Sequence, residues 1–323
     1  MRRIAQNYGD RRMKITKAAL LGGCMMAMTG ASMAPAQSET RPRRLSEKAI
    51  DPTYRHVAYG PHKMQFFNFW KAQSEGPTPV LVAIHGGGWS GGAADEKWEP
   101  DAYLNVGISV ASVEYRRTPE VRLPEPVLDA ARAIQFIRAQ ADKWGLDKTR
   151  FAYQGGSAGA CTALWLALHD DLADAGSTDT VSRQSTKPVA VFVSNAQTCL
   201  DPMMLREWFG GDTTVLKHGM FLNATGAPDA EALLTDYDKY KSLLRRFSPV
   251  LHVDKDDPAI FMKAGGSVAM PPANVGHAIH HPIFSIKLKE ALDQAGVESY
   301  LDCEGHTSKL SPSQFLIKRL GGK

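Results

Sequence analysis

Residues 150–168 constrain the fold more than any other stretch. A strand pattern at 150–154 runs without a linker into Gly155-Gly156-Ser157-Ala158-Gly159, and that into a helix-forming run at 160–168. A chain passes from strand to helix this abruptly only through a sharp turn, and glycines two residues either side of Ser157 remove the Cβ atoms that would collide there. Such a junction belongs to a sheet with helices packed on its faces. The rest of the chain repeats the alternation. Apolar runs at 80–84 and 108–115 read as buried central strands, and 189–194, 259–263 and 298–303 read as later ones. Residues 125–145 place Val127, Ala131, Ile134, Ile137 and Trp144 on one helical face, with Gly145 as the stop. A second helix is expected at 284–295, and 94–106 has room for a third. Residues 54–59 and 63–70, turned by Gly60-Pro61, suit an antiparallel edge. The expected fold class is α/β, a mostly parallel, doubly wound sheet.

Residues 201–247 interrupt this alternation after the sixth strand. They bring Met203, Leu205, Trp208, Phe209 and Phe221 between two sheet strands. The segment reads either as an inserted cap over a site or as a surface excursion with a small core of its own.

The formal net charge of +4 over 323 residues is misleading. Arg2, Arg3, Arg11, Arg12, Lys14 and Lys17 form a basic leader, followed by an apolar run from 18 to 33 and the small-x-small site Ala34-Pro35-Ala36. Residues 1–36 therefore read as an export signal peptide, by the general or the twin-arginine route, for a periplasmic or secreted protein. Cys24 makes a poor lipoprotein box. Without those residues, which hold six of the 38 Lys/Arg and one of the 34 Asp/Glu, the net charge is −1. No basic stripe remains for nucleic acid, and no stable membrane insertion is expected once the signal is cleaved. Residues 37–53 read as a flexible linker and 54–323 as one domain. Cys161, Cys199 and Cys303 match no zinc spacing, so neither metal nor cofactor is expected. Cys161 suits a buried helix position, and a Cys199–Cys303 bridge would need an oxidising compartment.

The turn at Ser157 presents a hydroxyl where acyl transfer needs a nucleophile; its bland alternative is a serine capping the next helix. His85-Gly86-Gly87-Gly88 follows an earlier strand, and glycines there let the N–H groups of Gly87 and Gly88 face a developing oxyanion. The N–H of Ala158 would be the third donor. No Gly-Lys-Ser/Thr follows to suggest phosphate binding instead.

With Tyr115-Arg116 after the next strand, these motifs resemble the HGGG esterases related to hormone-sensitive lipase, over most of residues 54–303. The resemblance implies an α/β-hydrolase fold and metal-free hydrolysis of carboxylic esters; export suggests an environmental substrate, a small-molecule or polysaccharide-linked ester. The resemblance also implies a base in a Gly-His segment after the last strand, where Gly305-His306 stands. His277, His280 and His281 compete for that role, although they precede a helix. The family's acid lies after the seventh strand, but residues 264–269 contain no carboxylate. Asp201, beyond the sixth strand, is the candidate acid or else the cap of the following helix. Asp302 is the runner-up, and Asp256 and Asp257 lie at the wrong end of the sheet. A peptidase of this fold, or a binder that has lost its triad, are the alternative functions.

Overall fold

The computed structural model describes residues 50–94 and 100–322. The expected export signal, Arg11-Arg12, Cys24 and most of the 37–53 linker lie outside the described residues. Among those described, no helix is long and apolar enough to cross a membrane.

In chain order the elements are β1 (Tyr54–Ala58), β2 (Phe66–Trp70), β3 (Thr78–Ile84), α1 (Asp101–Leu104), β4 (Ser109–Val113), α2 (Glu125–Ala139), α3 (Ala141–Trp144), β5 (Leu146–Gly156), α4 (Ala158–Leu168) and β6 (Ala190–Ser194). Then come α5 (Pro202–Trp208), α6 (Gly219–Thr225), α7 (Ala232–Thr235), α8 (Tyr237–Arg246), β7 (Ala259–Lys263), α9 (Val275–Ile279), α10 (Ile283–Ala295), β8 (Ser299–Asp302) and α11 (Pro312–Leu320). The eight strands form one sheet in the order β1-β2-β4-β3-β5-β6-β7-β8. The first two strands pair antiparallel, β2 runs antiparallel to β4, and every later pairing is parallel. This is the α/β-hydrolase fold.

The parallel strands are apolar on both faces because helices cover both. In β3, Val80, Val82 and Ile84 join the larger core with α2, α4 and α10, while Leu81 points to the other side. There it meets Phe261 of β7 and Phe315, Leu316 and Leu320 of α11. Helix α4 is buried at every residue, as its lack of a polar face demands. Its outer side is closed by the chain between β6 and β7: Trp165 Nε1 donates to the carbonyl of Arg246 at 2.7 Å, and its ring stacks on Phe247. Burial of such aromatic side chains contributes about 2–3 kcal/mol each. The helices of residues 201–247 therefore belong to the main core rather than to one of their own.

Candidate active site

The strand-to-helix junction forms as expected, with Ser157 at its apex. Its backbone stands at φ 52°, ψ −122°, a conformation costly for a residue with a Cβ. It is held there because Ser157 N donates to Ser194 O at the end of β6, while α4 starts at the next residue. The flanking glycines are required by contact. A Cβ on Gly159 would stand 2.2 Å from Ile84 O, and one on Gly155 would stand 2.5 Å from the Gly159 carbonyl.

The His85–Gly88 loop follows β3 and lies against this turn: a Cβ on Gly86 would be 2.7 Å from Gly156 O. Gly87 and Gly88 both have positive φ, 92° and 63°. Among the described residues, the N–H groups of Gly87, Gly88 and Ala158 donate to no other protein atom. The loop is braced from behind. Tyr115 Oη donates to the carbonyls of His85 and Gly86 at 2.9 and 3.1 Å, and its ring stacks on His85. His85 Nε2 lies 2.9 Å from Glu114 Oε1, and the other oxygen of Glu114 accepts from Arg117 and from Ala94 N. Burial alone would push the Glu114 carboxyl up, but the bonds from His85, Arg117 and Ala94 hold it below the usual carboxylate range. Glu114 is a positioning residue that the sequence reading missed. Arg116 instead forms a two-pronged pair with Asp129 of α2.

The histidine that meets Ser157 is not the one the resemblance placed there. His280, directly after α9, puts Nε2 3.0 Å from Ser157 Oγ. His306 is exposed in a tight turn whose backbone pairs it with Cys303, beyond β8. In the segment after β7, Asn274 caps α9 by accepting from His277 N. His277 and His281 fasten that segment. His277 accepts from Ala273 N and donates to Ser267 O, while His281 accepts from Ile283 N. Gln197, buried just past β6, donates to Ile279 O at 2.7 Å and so fixes the residue before His280. Burial holds the His280 imidazole below the ordinary histidine value, which keeps it neutral and able to accept the serine proton.

Asp201 is not the acid either. It is fully buried as the cap of α5, accepting from Met203 N and Met204 N. Its other oxygen takes Tyr237 Oη at 2.9 Å and Arg245 at 2.8 Å. Asp302 lies 3.7 Å from Lys263, and Asp257, pushed up to about 6 by burial, lies 3.9 Å from Lys187. Among the described residues no carboxylate hydrogen-bonds His280, so the arrangement is a serine–histidine pair. Cys199 and Cys303 are both free thiols. Among the described residues no cluster of His, Cys, Asp and Glu could hold a metal. A cavity of about 570 Å³ opens beside His280, lined by Asn195, Gly265, Ser267, His277 and neighbours. On the other side, Met220 and His218 of the inserted segment reach Gly88.

Residues 69–280, from β2 through His280, match the model of the BD-FAE family. The chain belongs to that family. It is similar to carboxylesterase NlhH of Mycobacterium tuberculosis, at 28% identity over 254 residues, covering 76% of this chain and 70% of that one. It is 34% identical over 109 residues to versiconal hemiacetal acetate esterase of Dothistroma septosporum, covering 31% and 32%. It is 25% identical over 250 residues to esterase LipQ of Mycobacterium tuberculosis, covering 73% and 52%. The chain thus spans about a third to a half of the length of several relatives it matches. Among solved structures, an acetyl ester-xyloside bifunctional hydrolase from Caldicellulosiruptor lactoaceticus superposes with a TM-score of 0.59 at 21% identity, over 79% of this chain and 87% of that one. This likeness places the BD-FAE chain in its fold.

Proposed function

We propose that this BD-FAE protein hydrolyses carboxylic esters through an acyl-enzyme on Ser157. The observation that carries the reading is the 3.0 Å contact between Ser157 Oγ and His280 Nε2, beside three N–H groups with no protein acceptor. As Oγ attacks the ester carbonyl, its proton passes to Nε2 and the carbonyl oxygen becomes an oxyanion facing Gly87, Gly88 and Ala158. The imidazolium then protonates the leaving alkoxide, and water repeats the sequence to release the acid. That the relatives above carry esterase names supports the same chemistry. The substrate is a small-molecule or polysaccharide-linked ester, met outside the cytoplasm after export through residues 1–36; sequencing the N-terminus of the mature protein checks the export.

The decisive experiment is hydrolysis of p-nitrophenyl acetate together with fluorophosphonate labelling, in the wild type and in Ser157→Ala. Both signals are expected in the wild type and neither in the variant. One observation favours a second reading, a ligand binder of this fold: among the described residues His280 has no carboxylate partner. A wild-type chain that binds esters yet takes no fluorophosphonate label would establish that reading instead.

A further inference from the structure

The inserted segment delivers a second imidazole to the site, and its orientation is fixed. His218 follows the 3-10 turn Thr214–Lys217, which packs on α9, the helix that ends at His280. As the cap of α6, His218 accepts a hydrogen bond from Met220 N at Nδ1 (3.2 Å). An accepting Nδ1 carries no proton, so in the neutral ring the proton sits on Nε2. Cε1, the atom between the two nitrogens, lies 3.8 Å from the place a Cβ on Gly88 would occupy. The ring therefore borders the oxyanion loop at Gly88, with Nε2 bonded to the atom that faces it. Burial, with His280 close by, keeps this ring neutral as well. Among the described residues Nε2 has no hydrogen-bond partner.

Resting on the esterase reading above, we propose that His218 is a substrate-binding residue whose Nε2–H donates to a non-reacting oxygen of the ester, so that the site selects esters bearing a hydroxyl, ether or second carbonyl oxygen close to the scissile group. The reacting oxygens are already provided for. Three N–H groups match the lone pairs of the oxyanion, and His280 delivers the proton to the leaving oxygen. A neutral donor at this edge suits a neutral oxygen, and a half-buried hydrogen bond of this kind is worth about a factor of 3 to 10. A substrate lacking that oxygen leaves the donor unpaired where the bound ester excludes water.

Two matched pairs of esters test this and separate the two arms of the substrate: 2-hydroxyethyl acetate against propyl acetate for the alcohol arm, and ethyl glycolate against ethyl propionate for the acyl arm. The wild type is expected to prefer the oxygenated member of at least one pair by about 3- to 10-fold in kcat/KM. In His218→Ser, which still caps α6, that preference is expected to fall to within about twofold of unity while the Tm holds. His218→Asn is the second cap-preserving variant and is expected to do the same, since its shorter amide does not reach. A preference that survives both substitutions overturns the proposal. So do equal losses on both members of a pair, which mark a packing role, and a wild type that cleaves both members of each pair alike. Failure of the esterase reading looks different: no hydrolysis of any of the four esters, or hydrolysis that persists in Ser157→Ala.

Discussion

Ser157 and His280 meet across 123 positions of chain, and that separation explains which part of the site could be read in advance. The nucleophile and its oxyanion loop are local motifs. Glycines at 155 and 87 are needed for contacts four residues on, and those at 86 and 159 let the two motifs press against each other, so each requirement is displayed inside a short glycine-rich string. The base has no such signature. His277, His280, His281 and His306 are equivalent as residue types, and only the path of the segment after β7 separates them. The missing carboxylate at 264–269 was the visible sign that this segment has been rebuilt. The consequence is measurable. His280→Ala is expected to lower kcat by about 10²- to 10⁴-fold, whereas His306→Ala leaves it within about twofold; steady-state rates on p-nitrophenyl acetate decide between the two. On the proposed mechanism His280 works only when neutral, and burial disfavours its charged form with no carboxylate among the described residues to counter it. Activity should therefore rise with pH through an inflection below the ordinary histidine value of 6.5 and stay level above it, as a kcat/KM profile from pH 4 to 8 will show. An inflection above that value would mean that a carboxylate does face His280.

Secondary structure was legible wherever one apolar period ran long enough. The six strands with parallel neighbours and α2, α4 and α10 are all signalled by their side chains, because strands covered on both faces, a helix buried all round and helices with one buried stripe leave distinct patterns. Helix α11 was missed although its start is written out: Ser311 and Gln314 form a capping box around Pro312, ahead of Phe315, Leu316 and Leu320. The short helices α5, α6, α7 and α9 have too few turns to show a period. Asp201 belongs to this scale. It sits beyond a strand end, where catalytic groups gather, yet its chemistry is spent on capping α5 and tying it to Tyr237 and Arg245 of α8. Asp201→Ala is accordingly expected to cost about 2–3 kcal/mol of stability by urea unfolding, with kcat per folded molecule unchanged. A collapse of kcat without loss of stability would restore Asp201 as the acid. Gly159→Ala is harsher, because the new Cβ would strike the Ile84 and His85 carbonyls at 2.2 and 2.4 Å. Both elements flanking the site must shift, and loss of soluble folded protein in expression is the expected result.

Across the whole molecule, two apolar layers hold one sheet, and the thiols report on how tightly. Cys161 and Cys199 are buried, and burial pushes both thiols up, whereas Cys303 is half-buried at the end of β8. A chain beginning at residue 37 is expected to release one equivalent from Ellman's reagent when native and three in urea. A disulfide between Cys199 and Cys303 would leave none when native and one in urea. The placement of the base has a consequence for how such a chain can diversify. Because His280 arrives from before β8, the exposed turn at Glu304, Gly305 and His306 is released from the duty that would have frozen it. It links β8 to α11, and Glu304 also accepts a hydrogen bond from Val268 N at 2.8 Å, in the segment that leads to His280. That leaves Gly305 and His306 as the attachment point, where an engineer can splice an affinity tag while the chemistry at Ser157 and His280 goes on undisturbed.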